Sequence, residues 1–153
     1  MNWTVQPATD ADAVLLAPRM RAADAAEVWA SAHMDPLDGL RHSIAASTVA
    51  YTWIIEGVPG CVYGVSSYWS VGGSGNPWLL TSDLVDRHRM TFLRHYRAYL
   101  VEIQAVWPVL ETWVDARHQV CLRWLAWLGF EIGEPVPFGM DGLPFVPVKL
   151  EVN

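Results

Sequence analysis

Residues 109–132 read VLETWVDARHQVCLRWLAWLGFEI, and this stretch predicts a strand, a turn, a compact helix and a second strand. Its first six residues favour a strand, whereas the apolar residues from Val120 onward recur every three or four positions, as on one face of a helix. Gly129 ends that helix, because glycine readily takes the left-handed conformation in which many helices stop. Phe130 and Ile132 then resume the alternation of a strand.

The rest of the chain adds helices and strands in an order that is typical of an α+β fold. Helices are predicted from the Thr9–Asp12 start signal to Pro18, over 22–33, from Pro36, and over 87–106. Strands are predicted over 3–7, 49–55, 61–69, 78–81, 131–137 and 145–152, with a glycine-rich loop at 72–77. Pro144 and Pro147 predict that the last strand is irregular or lies at an edge. We therefore expect one domain over 1–153, with a mixed central sheet flanked by helices on both faces.

The composition predicts a folded domain with a large aromatic core. Of the 153 residues, 52% are hydrophobic and 17% are charged, so disorder is excluded and one continuous core is expected. Nine tryptophans are many for this length. Most should lie in the core, and the others predict an apolar surface that a homo-oligomer shares between chains.

The charge distribution limits the class of partner. A net charge of −6 argues against direct nucleic-acid binding, which needs many cationic groups. Four arginines lie close together at 87, 89, 94 and 97, and this cluster predicts a local site for a small anion. Cys61 and Cys121 share no metal-binding spacing and are expected to be free thiols. The sequence shows no export signal and no membrane-spanning run, so a cytoplasmic protein without a membrane partner is expected.

The segment from Arg123 to Phe130, RWLAWLGF, resembles the GNAT (GCN5-related N-acetyltransferase) superfamily, in which a late helix commonly ends in a Leu-Gly-Phe junction. Within that superfamily it looks most like the phage-encoded GNAT-like virion-assembly proteins of short-tailed phages. The resemblance implies a GNAT-like fold. Its phage branch implies phage structural proteins as partners and association with the virion.

The resemblance also implies a binding site for acetyl-CoA where the fourth strand splays from the fifth. The backbone of Leu79, Leu80 and Thr81 would line the acyl arm, and Arg87 and Arg89 would hold the phosphates. The acceptor would be a small-molecule or protein amine. The chain departs from the family's phosphate-binding loop, because Met90 and Phe92 stand where the family has small residues. We therefore expect that loop to be narrowed or blocked, unless both side chains belong to the core.

Proton transfer is the second departure from the family. Leu125 occupies the position of a tyrosine that many members use as an acid, and His118 occupies that of a frequent asparagine. His118 and Asp83 are the catalytic candidates, since an acetyltransferase needs groups that move protons. Asp115 is predicted either to orient the His118 imidazole or to cap the helix. No set of residues is predicted to bind a metal.

Two hypotheses therefore remain open. The first is an acetyl-CoA-dependent N-acyltransferase with the site described above. The second is a non-catalytic phage virion or assembly protein that uses the GNAT fold as a binding scaffold.

Overall fold

The computed structural model describes residues 2–67 and 73–152. The helices are α1 (Asp10–Leu16), α2 (Ala22–Ala32), α3 (Pro36–Ala46), α4 (Asp83–Arg87), α5 (Arg89–Ile103) and α6 (Gln119–Leu128). The strands are β1 (Trp3–Pro7), β2 (Val49–Ile55), β3 (Val58–Ser67), β4 (Gly75–Thr81), β5 (Val109–Asp115), β6 (Glu131–Ile132), β7 (Val136–Phe138) and β8 (Leu143–Glu151).

All eight strands form one mixed sheet. Their order is β1-β2-β3-β4-β5-β8-β6, with β7 also paired to β8, and every pair is antiparallel except β4 with β5. The parallel pair meets only where Gly75 lies opposite Leu110, and beyond that point the two strands diverge. A side chain on Gly75 would place its first carbon 2.8 Å from the Trp107 ring and 2.9 Å from Val65. Glycine is therefore required at the vertex of the gap.

Helices cover both faces of this sheet, which confirms the predicted α+β architecture. On one face, α1 and α3 bury Ala13, Leu16 and Leu40 against Val62 and Leu80 of the sheet. On the other face, α5 and α6 close over a larger core that is rich in aromatic rings. The Phe92 ring lies 5.1 Å from that of Trp53 and 5.5 Å from that of Tyr96, distances at which aromatic pairs attract beyond their burial.

Several helix ends follow the local signals in the sequence. Thr9 and Asp12 form a capping box at α1, and the helix gives way to a 3₁₀ turn that contains Pro18. Asp35 accepts a hydrogen bond from the Asp38 amide at the start of α3. Gly129 ends α6 with φ at 101°, a conformation in which most side chains would be strained.

The helix predicted over 87–106 is confirmed for most of its length as α5, but a separate short helix, α4, precedes it. α4 starts after Ser82, whose hydroxyl accepts the Leu84 amide, and both α4 and α5 meet at His88. The backbone of His88 lies at φ −124° and ψ 32°, outside the helical region, so the hydrogen-bond ladder is interrupted there. α5 ends at Ile103.

The last part of the sheet also differs from the prediction. The expected strand over 131–137 is two short strands, β6 and β7, which pair with opposite ends of β8. β8 is an interior strand and not an edge, because β5 pairs along its other side. Pro147 is tolerated in this interior strand because it needs no N–H there. Its carbonyl accepts the Gly133 amide, and the N–H and C=O of one strand residue point to the same side, so the missing N–H faces the break between β6 and β7.

Two further predictions meet the limits of the described residues. The strand predicted over 61–69 is seen as far as Ser67, and residues 68–72 lie outside the described part. The loop predicted over 72–77 is wrong at its end, since Gly75 already begins β4.

Cys61 and Cys121 are free, as expected. Within the described ranges, no helix is long and apolar enough to span a membrane.

Candidate active site

The gap between β4 and β5 opens into a cleft that holds a cavity of about 190 Å³. Helices from both faces of the sheet contribute to its walls. Phe92 and Tyr96 of α5 and Leu125 of α6 line it on one side, and Glu27 and Ser31 of α2 line it on the other. The cleft therefore lies between the helices of the two faces, and most of its wall is apolar.

Two acidic residues of α2 hold the ends of the diverging strands. Asp24 Oδ2 accepts hydrogen bonds from the Thr81 amide at 2.8 Å and from the Thr81 hydroxyl at 2.6 Å, at the end of β4. Glu27 Oε2 accepts the Asp115 amide at 3.1 Å, at the end of β5. Residues three apart lie on the same face of a helix, so α2 bridges the open end of the gap.

Glu27 is the only carboxylate among the described residues that line the cleft. Its pKa is raised from 4.5 to about 7. Burial is the largest cause, and the carboxylates of Asp24 and Asp115 add to it, while His118 and the hydrogen bond from the Asp115 amide act in the opposite direction. A carboxylate in this position exchanges a proton near neutral pH, which is the range where a general base is most effective.

Asp24 stays ionised behind the cleft. Burial opposes its charge, but the hydrogen bond from His118 and the nearby Arg21 guanidinium outweigh that effect and lower its pKa. His118 Nε2 lies 2.5 Å from Asp24 Oδ1, and both side chains are 4% exposed. The amide of Cys121 lies 3.4 Å from His118 Nδ1, so both ring nitrogens of His118 have hydrogen-bond partners.

The structure separates the residues that the sequence predicted as cofactor-binding. Leu79 and Leu80 line the cleft, whereas Thr81 is buried and its side chain holds Asp24. Arg87 donates to Asp83 at 2.9 Å on the exposed side of α4. Arg89 is exposed at the first position of α5.

The catalytic candidates are not brought together. Asp83 has a side chain that is 57% exposed and does not line the cleft. His118 lies behind the cleft with both ring nitrogens in hydrogen bonds. Their catalytic roles stay predictions.

Both interpretations of Asp115 are wrong. Its carboxylate accepts from the Arg117 guanidinium at 2.6 Å and from the Arg117 amide at 2.9 Å, while the His118 ring contacts Asp24 instead. His118 itself caps α6 through Nδ1. The sequence spacing of Asp115 and His118 brings their backbones together, since the His118 amide donates to the Asp115 carbonyl, but it does not pair their side chains.

Met90 and Phe92, the two large residues at the start of α5, have different environments. Phe92 is fully buried in the aromatic core and forms part of the cleft wall. Met90 is 40% exposed and does not line the cleft. The cavity remains open beside Phe92.

Asp24, Glu27 and Tyr96 are the site residues that the sequence did not reveal. Asp24 and Glu27 read as the solvated acids of an amphipathic helix, and only their i, i+3 spacing on an otherwise alanine-rich helix was a signal. Tyr96 follows the apolar spacing of α5, which does not distinguish it from a core residue. Among the described residues, no group of three or more His, Cys, Asp or Glu side chains could hold a metal ion.

No protein-family model and no curated protein matches the chain. Solved structures do match over nearly the whole length. A GNAT superfamily phosphinothricin acetyltransferase from Sinorhizobium meliloti, in complex with acetyl-CoA, matches at a TM-score of 0.75 and 13% identity, covering 100% of this chain and 90% of the other.

Two acetyltransferases with other named acceptors match in the same way. The ribosomal-protein-S5-alanine acetyltransferase from Vibrio fischeri gives a TM-score of 0.70 at 13% identity, covering 99% and 93% of the two chains. The aminoglycoside N(6′)-acetyltransferase from Legionella pneumophila gives 0.67 at 11% identity, covering 99% and 94%. The chain therefore has the fold of the GNAT acetyltransferases.

Proposed function

We propose that the chain is an acetyl-CoA-dependent N-acyltransferase and that Glu27 is its general base. The observation that carries this proposal is the position of Glu27, a carboxylate with a pKa of about 7 on the wall of the cleft between the diverging strands. The solved structures of the same fold that are named above are acetyltransferases, and one of them contains acetyl-CoA.

The residues around the cleft fit an acyl-CoA donor. Beyond Gly75 the edge of β4 that faces β5 has no strand partner among the described residues. The Thr81 amide at the end of this edge donates to Asp24, which leaves the backbone of Leu79 to bind the amides of the donor arm. α5 begins at Arg89 without a side-chain cap, and free amides at a helix N-terminus attract phosphate. When bound, acetyl-CoA supplies an activated thioester.

Glu27 would start the transfer by accepting a proton from the acceptor ammonium, which cannot attack while it is protonated. The free amine then forms a C–N bond to the thioester carbonyl carbon, and the C–S bond breaks. The departing thiolate takes up a proton, and the amine nitrogen loses its second one. Tyr96 can donate a hydrogen bond to the sulfur, because burial raises the pKa of its hydroxyl and keeps it protonated. A phenol on α5 would thereby serve in place of the tyrosine that Leu125 replaces on α6.

Asp24 and His118 would position the base. Their hydrogen bond joins α2 to the start of α6, and Asp24 also fixes the end of β4 through Thr81. The Asp24 carboxylate close to Glu27 helps to raise the Glu27 pKa. In this proposal His118 acts through Asp24 and does not touch the acceptor.

The predictions of a phage origin, of virion partners and of a non-catalytic scaffold have no observation in their favour.

The test combines binding and activity. Calorimetric titration with acetyl-CoA should show one site, and replacing Arg89 with alanine should weaken it. Release of free thiol in the presence of primary amines should then fall at least 100-fold in Glu27→Gln, since a general base contributes about 10²–10⁴ in rate. Glu134→Gln is the matched control and should keep its activity, because Glu134 is exposed between β6 and β7 and does not line the cleft. Absence of binding at millimolar acetyl-CoA would refute the proposal, and a Glu27→Gln variant with full activity would refute the assignment of the base.

A further inference from the structure

The half of the cleft on the α2 side has two indole walls. Along β4, Leu80 belongs to the core under α1 and α3, so Trp78, two residues before it, faces the same side. Along β5, Val114 belongs to the opposite core, so Trp113 next to it also faces α2. Both tryptophans line the cleft, one from each of the diverging strands. Glu27 faces the cleft from α2 on this side. We call this half of the cleft the indole chamber.

Both indoles are held in place before any ligand binds. The Trp78 ring nitrogen donates to the Ser47 hydroxyl at 2.6 Å, after the end of α3. The Trp113 ring stacks on Phe138 of β7, with ring centroids 4.7 Å apart and an interplanar angle of 13°. Fixed aromatic walls lose little conformational freedom on binding, so they favour a flat apolar ligand.

The charges of the wall limit the acceptor further. Among the described residues that line the cleft, Glu27 is the only side chain with a full charge, and none is lysine or arginine. A polyamine would bury ammonium groups that find no second carboxylate. An amino acid would bring its own carboxylate against Glu27 with no cation to pair it. The cavity of about 190 Å³ is also smaller than common ligand pockets, which measure roughly 300–1,000 Å³.

From this chamber we infer that the acceptor is a small aromatic monoamine, with one ring bound between Trp78 and Trp113 and its amine beside Glu27. The inference rests on the proposed acyl transfer and narrows its acceptor class. An ammonium near an indole face gains additional attraction, and the ring stacks on the same walls. Glu27 is then the group that both binds the cation and removes its proton.

The inference is tested by comparing four amines as acceptors. 2-Phenylethylamine carries the predicted ring and charge, 2-cyclohexylethylamine keeps the size without the π-system, L-phenylalanine adds a carboxylate, and spermidine adds further ammonium groups. We expect kcat/KM for 2-phenylethylamine to exceed that for L-phenylalanine and for spermidine by at least tenfold, and that for 2-cyclohexylethylamine by several-fold. Equal or better use of spermidine or L-phenylalanine would overturn the inference.

Substitutions of Trp113 test whether its indole causes the preference for an aromatic amine. Trp113→Leu should raise KM for 2-phenylethylamine about tenfold and remove its advantage over 2-cyclohexylethylamine, with acetyl-CoA affinity unchanged. Trp113→Phe keeps a ring and should keep the advantage. Trp127→Leu is the control, because Trp127 is 40% exposed and lies under the Arg97 guanidinium, away from the cleft. A Trp113→Leu variant that folds and retains the preference would also overturn the inference.

Calorimetry separates the failure of this inference from the failure of the proposed function. If no amine is acetylated but 2-phenylethylamine binds more tightly than L-phenylalanine and spermidine, and Trp113→Leu weakens that binding, the aromatic amine site stands without the transfer. If transfer occurs but the four amines bind and react alike, the acyltransferase stands and the indole chamber does not select the acceptor.

Discussion

Replacing Glu27 with glutamine should stabilise the protein at alkaline pH and not at acidic pH. Burial is the main reason that the Glu27 pKa rises from 4.5 to about 7 in the folded chain. Between these two pH values the folded chain keeps a proton on Glu27 that the unfolded chain has already lost. Stability therefore falls as pH rises through that window. This rise in the Glu27 pKa lowers the free energy of unfolding by roughly 3 kcal/mol above pH 7. At pH 5 the loss is less than about 1 kcal/mol.

Glutamine carries no charge at any pH in this range, and its amide oxygen can still accept the Asp115 amide that Glu27 accepts now. The free energy of unfolding of Glu27→Gln, minus that of the wild type, should therefore rise by about 2–3 kcal/mol between pH 5 and pH 8. Urea unfolding followed by tryptophan fluorescence at both pH values measures this difference.

Glu134→Gln is the matched control for this experiment. Glu134 is exposed between β6 and β7, so its replacement should change the unfolding free energy by less than about 0.5 kcal/mol at either pH. A gain for Glu27→Gln of the same size at pH 5 and pH 8 would mean that the effect is one of packing. A loss at pH 8 would refute the argument that an ionised Glu27 is a buried, costly charge.

Three further outcomes follow from the geometry of the cleft. Gly75→Val should lower the free energy of unfolding by about 1–3 kcal/mol and weaken acetyl-CoA binding, because the new side chain meets Trp107 and Val65 at the vertex. Urea unfolding measures the first effect and calorimetry the second. Unchanged values in both would contradict the tight contact. His118→Ala should cost roughly 3 kcal/mol in urea unfolding, since it leaves the Asp24 carboxylate buried without its partner, and a neutral result would refute the role of that pair. Tyr96→Phe should lower kcat about tenfold with little change in unfolding free energy, and an unchanged kcat would remove the hydroxyl from the reaction.

The parts of the fold that local chemistry decides could be predicted from the sequence. The start of α1 depends on Thr9 and Asp12, and the end of α6 depends on Gly129, residues whose effect is confined to one turn of chain. The break at His88 could not be found in this way. Val85 and Phe92, on either side of it, are both fully buried and keep helical spacing, so the apolar pattern continues across the interruption.

The site was harder to predict because its chemistry comes from contacts between distant elements. Glu27 has its unusual pKa only because α2 packs at the ends of the diverging strands, next to Asp24 and Asp115. Asp24 binds Thr81 and His118, which are 57 and 94 positions away in sequence. No local motif marks such a cluster. The resemblance alone predicts that the β4 backbone of Leu79, Leu80 and Thr81 lines the acyl arm. Leu79 and Leu80 line the cleft, and their contact with an acyl arm stays a prediction.

The pH dependence of kcat/KM for acetyl transfer from acetyl-CoA to a primary amine tests whether Glu27 is the general base. The wild-type kcat/KM should rise with pH through an apparent pKa of about 7 as Glu27 loses its proton, and Glu27→Gln should be at least 100-fold slower and lack this rise. Absence of acetyl transfer at every pH, or the same rise in Glu27→Gln, would refute this role of Glu27.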